Sequence, residues 1–218
     1  MIQKLTKVNF KLLVLGILIL IPFLSYAETP VEQILYRTVE NFEAVNYRLG
    51  SVLSKISQNY GIQYGVEFIL EEPNILSFTF SLKNPTLKEV LDTIVKIDRR
   101  YIWEEHNGII NLIPVQKKND PTHIFNQIIP KFVVSERDFS GALNELATAI
   151  EGHELRAVSH GALPSGHTFS LSFEQVPVRE VLDAIIKADG VYVWVWFGQG
   201  TTVKLIGTNI NKKKANTN

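Results

Sequence analysis

The sequence predicts an α+β protein built of two tandem β-α-β-β-α-β-β modules, and three observations carry that reading. The stretch Glu89-Val90-Leu91-Asp92, leading to Tyr101-Ile102-Trp103, recurs in register and without a gap as Glu180-Val181-Leu182-Asp183, leading to Tyr192-Val193-Trp194. Such self-similarity fixes an architecture before any single element is considered. Helical and alternating hydrophobic periods also follow one another in the same order in both halves. Between them, Gln116-Lys117-Lys118-Asn119-Asp120-Pro121 has the polar, proline-ended composition of an exposed connection. These observations place a first module at 28–116, a linker at 117–122 and a second module at 123–208, each with a core of its own.

The chain opens with a targeting segment, 1–27. Lys4, Lys7 and Lys11 precede an apolar run from Leu12 to Phe23, and Ser25-Tyr26-Ala27 offers small residues for cleavage after Ala27. The uncharged stretch is shorter than the roughly 20 residues of a spanning helix. Membrane attachment is therefore expected only through this segment, if it stays uncleaved. The absence of cysteine excludes a disulfide scaffold and a lipid-modified N-terminal cysteine. Three lysines leave with the segment, so 19 basic residues face 22 acidic ones in the exported form. That balance argues against nucleic acid as a partner, and Lys212-Lys213-Lys214 falls in a polar tail, 209–218, expected to be disordered.

In the first module Thr29-Pro30-Val31-Glu32 has the form of a capping box, and Val31, Ile34, Leu35 and Thr38 continue at helical spacing. The second half of this lead-in reads equally as a strand. Leu49, Val52, Leu53, Ile56 and Tyr60 mark one face of a helix closed by Gly61, followed by a strand from Ile62 to Phe68. A turn at Glu71-Glu72-Pro73-Asn74 leads to Phe78, Phe80 and Leu82, which alternate with polar residues. Thr86 and Glu89 form a capping box for a helix that buries Val90, Leu91, Ile94 and Val95, with Asp92 and Lys96 one turn apart on its wet side. Two strands, Tyr101 to Glu105 and Ile109 to Val115, then meet across His106-Asn107-Gly108.

The second module repeats this order. Phe132 stands for Phe42, and Phe139, Ala142, Leu143, Leu146 and Ile150 stand for the first helical face. Gly152 ends that helix, and Glu154 to Ser159 is the next strand. Pro177 opens the following helix and Gly190 closes it. The modules diverge where Glu104-Glu105-His106 becomes Val195-Trp196-Phe197, making the strand from Val191 to Phe197 apolar on both faces. Two readings stand: this strand lies between the modules, or Trp194, Val195, Trp196 and Phe197 form an exposed patch that docks a partner.

These residues resemble the short N-terminal domain shared by secretins and TonB-dependent receptors. The resemblance rests on Leu53, Gly61, Phe78, Phe80, Val90, Leu91, Tyr101 and Trp103 in the first module. In the second it rests on Leu143, Gly152, Phe169, Leu171, Val181, Leu182, Tyr192 and Trp194. It implies a periplasmic αβ domain, without catalysis, that makes protein contacts during secretion or signalling. The expected partners are envelope proteins, such as components of a secretion or outer-membrane complex.

Reactive chemistry is sparse, and neither an enzyme nor a cofactor is expected. His153, His160 and His167 recur every seven residues near Glu151 and Glu154, and imidazole with carboxylate suits zinc. However, Gly152, Gly161, Pro164 and Gly166 forbid the helix that would align them, and an odd interval places strand neighbours on opposite faces. Small-ligand or metal binding by the 153–167 loop is the alternative function. A hydrolase using Ser159-His160 or Ser165-Gly166-His167 is a further one, without a nucleophile elbow or phosphate loop to support it. Asp92 and Asp183, and Glu89 and Glu180, read as caps or as helical partners of lysine rather than catalytic pairs.

Overall fold

In the computed structural model the described residues are 31–69, 76–150, 156–160 as backbone, 166–197 and 202–207. The expected targeting segment, the first two residues of the expected capping box after it, the 71–74 turn and the 209–218 tail lie outside them.

The lead-in resolves into a short helix α1, Val31–Leu35, and then a strand β1, Asn41–Tyr47. Helix α2, Leu49–Tyr60, buries the expected face and ends at Gly61, whose φ of 68° is the left-handed conformation that glycine adopts without strain. Strand β2, Gln63–Glu67, follows, and β3, Phe78–Lys83, pairs back antiparallel on β1. Helix α3, Leu87–Ile97, starts at a complete capping box: the Thr86 hydroxyl accepts from the Glu89 N–H while the Glu89 carboxylate accepts from the Thr86 N–H. Strands β4, Tyr101–His106, and β5, Ile109–Pro114, form the hairpin, turned by Asn107 and Gly108, both at positive φ.

The same order then recurs. Strand β6, Ile128–Arg137, pairs with β8, Phe169–Pro177; helix α5, Phe139–Ala149, strand β7, Arg156–His160, helix α6, Val178–Asp189, and strands β9, Tyr192–Trp196, and β10, Thr202–Gly207, complete it. Even an irregularity is duplicated. Asn46 and Glu136 both have positive φ at a register shift, and their N–H groups donate to the hydroxyls of Thr79 and Ser170 on the facing strand.

The expectation of separate modules on an exposed linker is corrected by the sheet. One six-stranded sheet, in the order β4-β5-β2-β9-β10-β7, runs through both halves. The halves join where β2 lies parallel to β9, with Gly65 opposite Trp194, Val66 opposite Val195 and Glu67 opposite Trp196. The linker is largely exposed but ordered: its start is a helix α4, Val115–Lys118, and the Asn126 amide donates to the carbonyls of Lys117, Lys118 and Asp120. A 3-10 turn, Ile124–Asn126, leads into β6.

Strand directions explain how one sheet serves two cores. Strand β5 runs parallel to β2 and hence to β9, whereas its counterpart β10 runs antiparallel to β9. The second half is therefore turned over, by a half-turn about the line along which the strands are ordered. Its helices lie on the opposite face of the sheet from those of the first half. Alternation along β9 follows from period 2: Tyr192, Trp194 and Trp196 enter the second core, while Val193 and Val195 enter the first.

At the join, a Cβ on Gly65 would lie 2.1 Å from Trp194 Cε2 and 2.4 Å from Asn111 Oδ1. Only a residue without a side chain allows the indole to approach the strand. Gly65→Ala is expected to lower stability by roughly 2–3 kcal/mol, because overpacking forces either Trp194 or the β2–β9 register to shift. Urea unfolding checks this; an unchanged midpoint would show that the indole is not held against the strand.

Candidate functional site

The patch proposed for Trp194, Val195, Trp196 and Phe197 is corrected by burial. Trp194 is fully buried, Val195 and Trp196 are buried, and Phe197 is half-buried against the Phe68 ring. Strand β9 has neighbours on both edges, β2 and β10, so the strand itself docks the first half of its own chain while Trp194 and Trp196 fill the second core. Phe125, from the 3-10 turn, completes an aromatic cluster, tilted against Trp194 and edge-on to Trp196 at centroid separations of 5.2 and 5.7 Å. Burying an indole contributes about 4–6 kcal/mol before entropy is counted. Apolar area thus supplies most of the adhesion.

Polar groups set the register of the joint. Glu67, fully buried on β2, accepts from Arg179 Nε and Nη2 on α6 at 3.2 and 2.6 Å, and its other oxygen lies 2.6 Å from His123 Nε2. Arg179 Nη1 also donates to Asn126. Such a cluster adds little net stability, but removing one member strands a buried charge at about 3–5 kcal/mol. Gln63 donates to the carbonyls of Ile186 and Tyr192, both at 2.7 Å, closing the other end of the joint.

Between these lies Asp183, on α6. It accepts from Trp194 Nε1 at 2.7 Å and from Asn111 Nδ2 at 2.6 Å. Burial pushes its pKa up to about 7, against the opposing pull of the two donors. Asp183, read from the sequence as a cap or a helical partner of lysine, is buried and bonded to Trp194 and Asn111. Its counterpart Asp92 also differs from expectation, pairing with Lys88 at 2.5 Å rather than with Lys96, and accepting from Trp103 Nε1 at 3.0 Å.

Of the weak metal candidates, only the His167 side chain falls within the described residues. His153 lies outside them, as does the side chain of His160. His167 is exposed, with its Nε2 2.9 Å from the Ala188 carbonyl. No group of three potential ligands is present among the described residues. Gly65, Glu67, Asn111, His123 and Arg179 escaped the sequence reading; the signal was a strand whose alternate residues, Gln63, Gly65 and Glu67, are polar or absent beside an apolar Tyr64 and Val66.

A cavity of about 470 Å³ opens on the first half's helix face. Tyr64, Val66, Phe68, Val195 and Phe197 provide apolar wall, and Arg48 and Arg100 provide cationic groups, although Arg100 is also paired with Asp98. Tyr101 lines it too, and its hydroxyl accepts from the Ile69 N–H at 2.8 Å. Burial, the larger effect, raises the Tyr101 pKa to about 12, so the phenol is neutral over the physiological range. The site can bind an apolar group; it contains no activated nucleophile among the described residues.

No protein-family model matches the chain, and no curated protein matches it in sequence.

The raised pKa of Asp183 has a signed consequence. Its neutral form favours the fold, so this contribution is fully present below the ordinary value of 3.8 and is lost as pH rises through about 7. Asp183→Asn removes the ionisation and keeps the shape. The expected outcome is a urea midpoint that falls less for the variant than for the parent between pH 5 and 8; parallel profiles would refute it.

Proposed function

We propose that the chain is an exported, non-catalytic protein-interaction module that binds another envelope protein, as an adaptor or assembly component of a secretion or outer-membrane complex. The observation that supports this reading is the β2–β9 joint, where one half recognises the other by adding a strand to its sheet. Main-chain pairing supplies affinity and side-chain pockets supply specificity in such a joint, as in β-strand addition generally. The unit that serves this purpose inside the chain has further edges to offer. The expected targeting segment and the resemblance to secretin and receptor N-terminal domains support a periplasmic location. The buried Glu67, His123, Arg179 and Asp183 are engaged in fastening the halves, which favours a binding role over a catalytic one.

A photo-crosslinking residue placed in turn at Ser54, Val95 and Lys131 tests the reading in intact cells. A discrete adduct with one envelope protein is expected from at least one position. Absence of any discrete adduct from all three would remove it.

The cavity supports a second reading, an apolar small ligand with an acidic group, held on the walls described above rather than in the 153–167 loop. Anilinonaphthalene sulfonate is then expected to bind saturably with one site, and Ser54→Trp to abolish that binding. A linear, unsaturated rise in fluorescence would count against the site.

A further inference from the structure

The second half carries on α6 and β9 a set of groups that the first half covers. The Trp194 ring rests on Gly65, its N–H holds Asp183, and Arg179 takes Glu67. The register that pairs Glu89 with Glu180 maps Arg179, Asp183 and Trp194 onto Lys88, Asp92 and Trp103. Cation, carboxylate and indole are all kept, and so is the indole-to-carboxylate hydrogen bond. What differs is the cover. The Lys88 and Asp92 side chains are 43% and 46% exposed, Trp103 is half-buried, and β4 has no strand on its outer edge among the described residues. An ordinary solvated ion pair explains Lys88 with Asp92. It does not explain an indole fixed at a sheet edge in the geometry that receives a glycine strand elsewhere in the same chain.

The edge also states what it selects. In the covered joint Glu67 stands opposite Trp196. The counterpart of Trp196 in β4 is Glu105, on the same face as Trp103. A strand laid on β4 in the same parallel register places its glycine against Trp103 and the residue two positions later opposite Glu105. Like charges directly opposite one another destabilise a pair, and opposite charges stabilise it. The chain's own Gly65-Val66-Glu67 is therefore a poor match for β4.

We infer that the β4 edge, with Trp103, Asp92 and Glu105, docks a strand of a different protein that reads glycine, any residue, then lysine or arginine, parallel to β4. Main-chain bonds along the open edge hold the strand, Trp103 admits only glycine at its position, and Glu105 sets the charge of the next inward residue. This rests on the protein-binding reading above and names the partner's chemistry.

The test uses the full exported chain and fluorescein-labelled nonapeptides copied from residues 61–69. One carries lysine in place of Glu67, one retains the glutamate, and one has the lysine with Gly65 changed to valine. Fluorescence anisotropy is expected to show the lysine peptide binding roughly five- to tenfold more tightly than the glutamate peptide. The valine peptide should not bind. With Glu105→Lys, whose side chain lies on the outer strand, the preference should reverse. Trp103→Ala should abolish binding while circular dichroism remains that of the parent. Absence of binding by the lysine peptide, equal binding of both charges, or an order that survives Glu105→Lys would overturn the inference. Discrete adducts in the crosslinking experiment alongside such a failure would leave the broader reading intact and sink this one alone.

Discussion

The contact between the Trp194 ring and the bare backbone of Gly65 is the constraint on which the remaining arrangement depends. It permits β2 to lie beside β9, and that pairing makes one sheet of what would otherwise be two three-stranded pieces. Each piece alone would expose an open edge and one uncovered face, a weak basis for independent stability. With the second half turned over and joined, the face of β2 and β5 that α2 and α3 leave open receives α6 and His123 from the other half. The apolar contribution there exceeds anything the ion cluster adds, so packing supplies the adhesion and Glu67 with Arg179 excludes slipped registers.

The elements themselves were legible because each local signal agreed with its neighbours. Thr86 and Glu89 announced a helix start, Gly61 and Gly190 announced ends, and Asn107-Gly108 announced a hairpin, all by local backbone chemistry. The joining of the halves was not legible, because it depends on which strand edge finds which. The apolar stretch Tyr192 to Trp196 signalled that something covers both of its faces, and burial within the protein was one of two open readings. Glu67 was the clue with the least ambiguity in hindsight. A carboxylate inside an otherwise apolar strand needs a partner, and only the tertiary structure brings Arg179 and His123 to it. Asp92 and Asp183 show the same limit: alike in sequence context, one is half-exposed beside Lys88 and the other is enclosed, because only the second helix lies against the joint.

The two halves share shape and differ in charge. The Trp-to-Asp hydrogen bond and the positive-φ bulge survive in both copies, as expected of features that set geometry. The inward residues around them have diverged, Trp196 against Glu105 and Arg179 against Lys88, and these decide what can lie alongside. Similar geometry thus makes one internal seam and one differently charged outer edge.

The anchored connector has a consequence for molecularity. A joint made by adding a strand can in principle be satisfied by a neighbouring molecule's second half, the usual route to domain exchange. Here His123 is held by Glu67 and packed edge-on to Trp196, while Asn126 ties back to three carbonyls of the segment before it. Releasing the second half to a neighbour would require unpicking that knot first, so the closed monomeric pairing is favoured at the point where the chain crosses over.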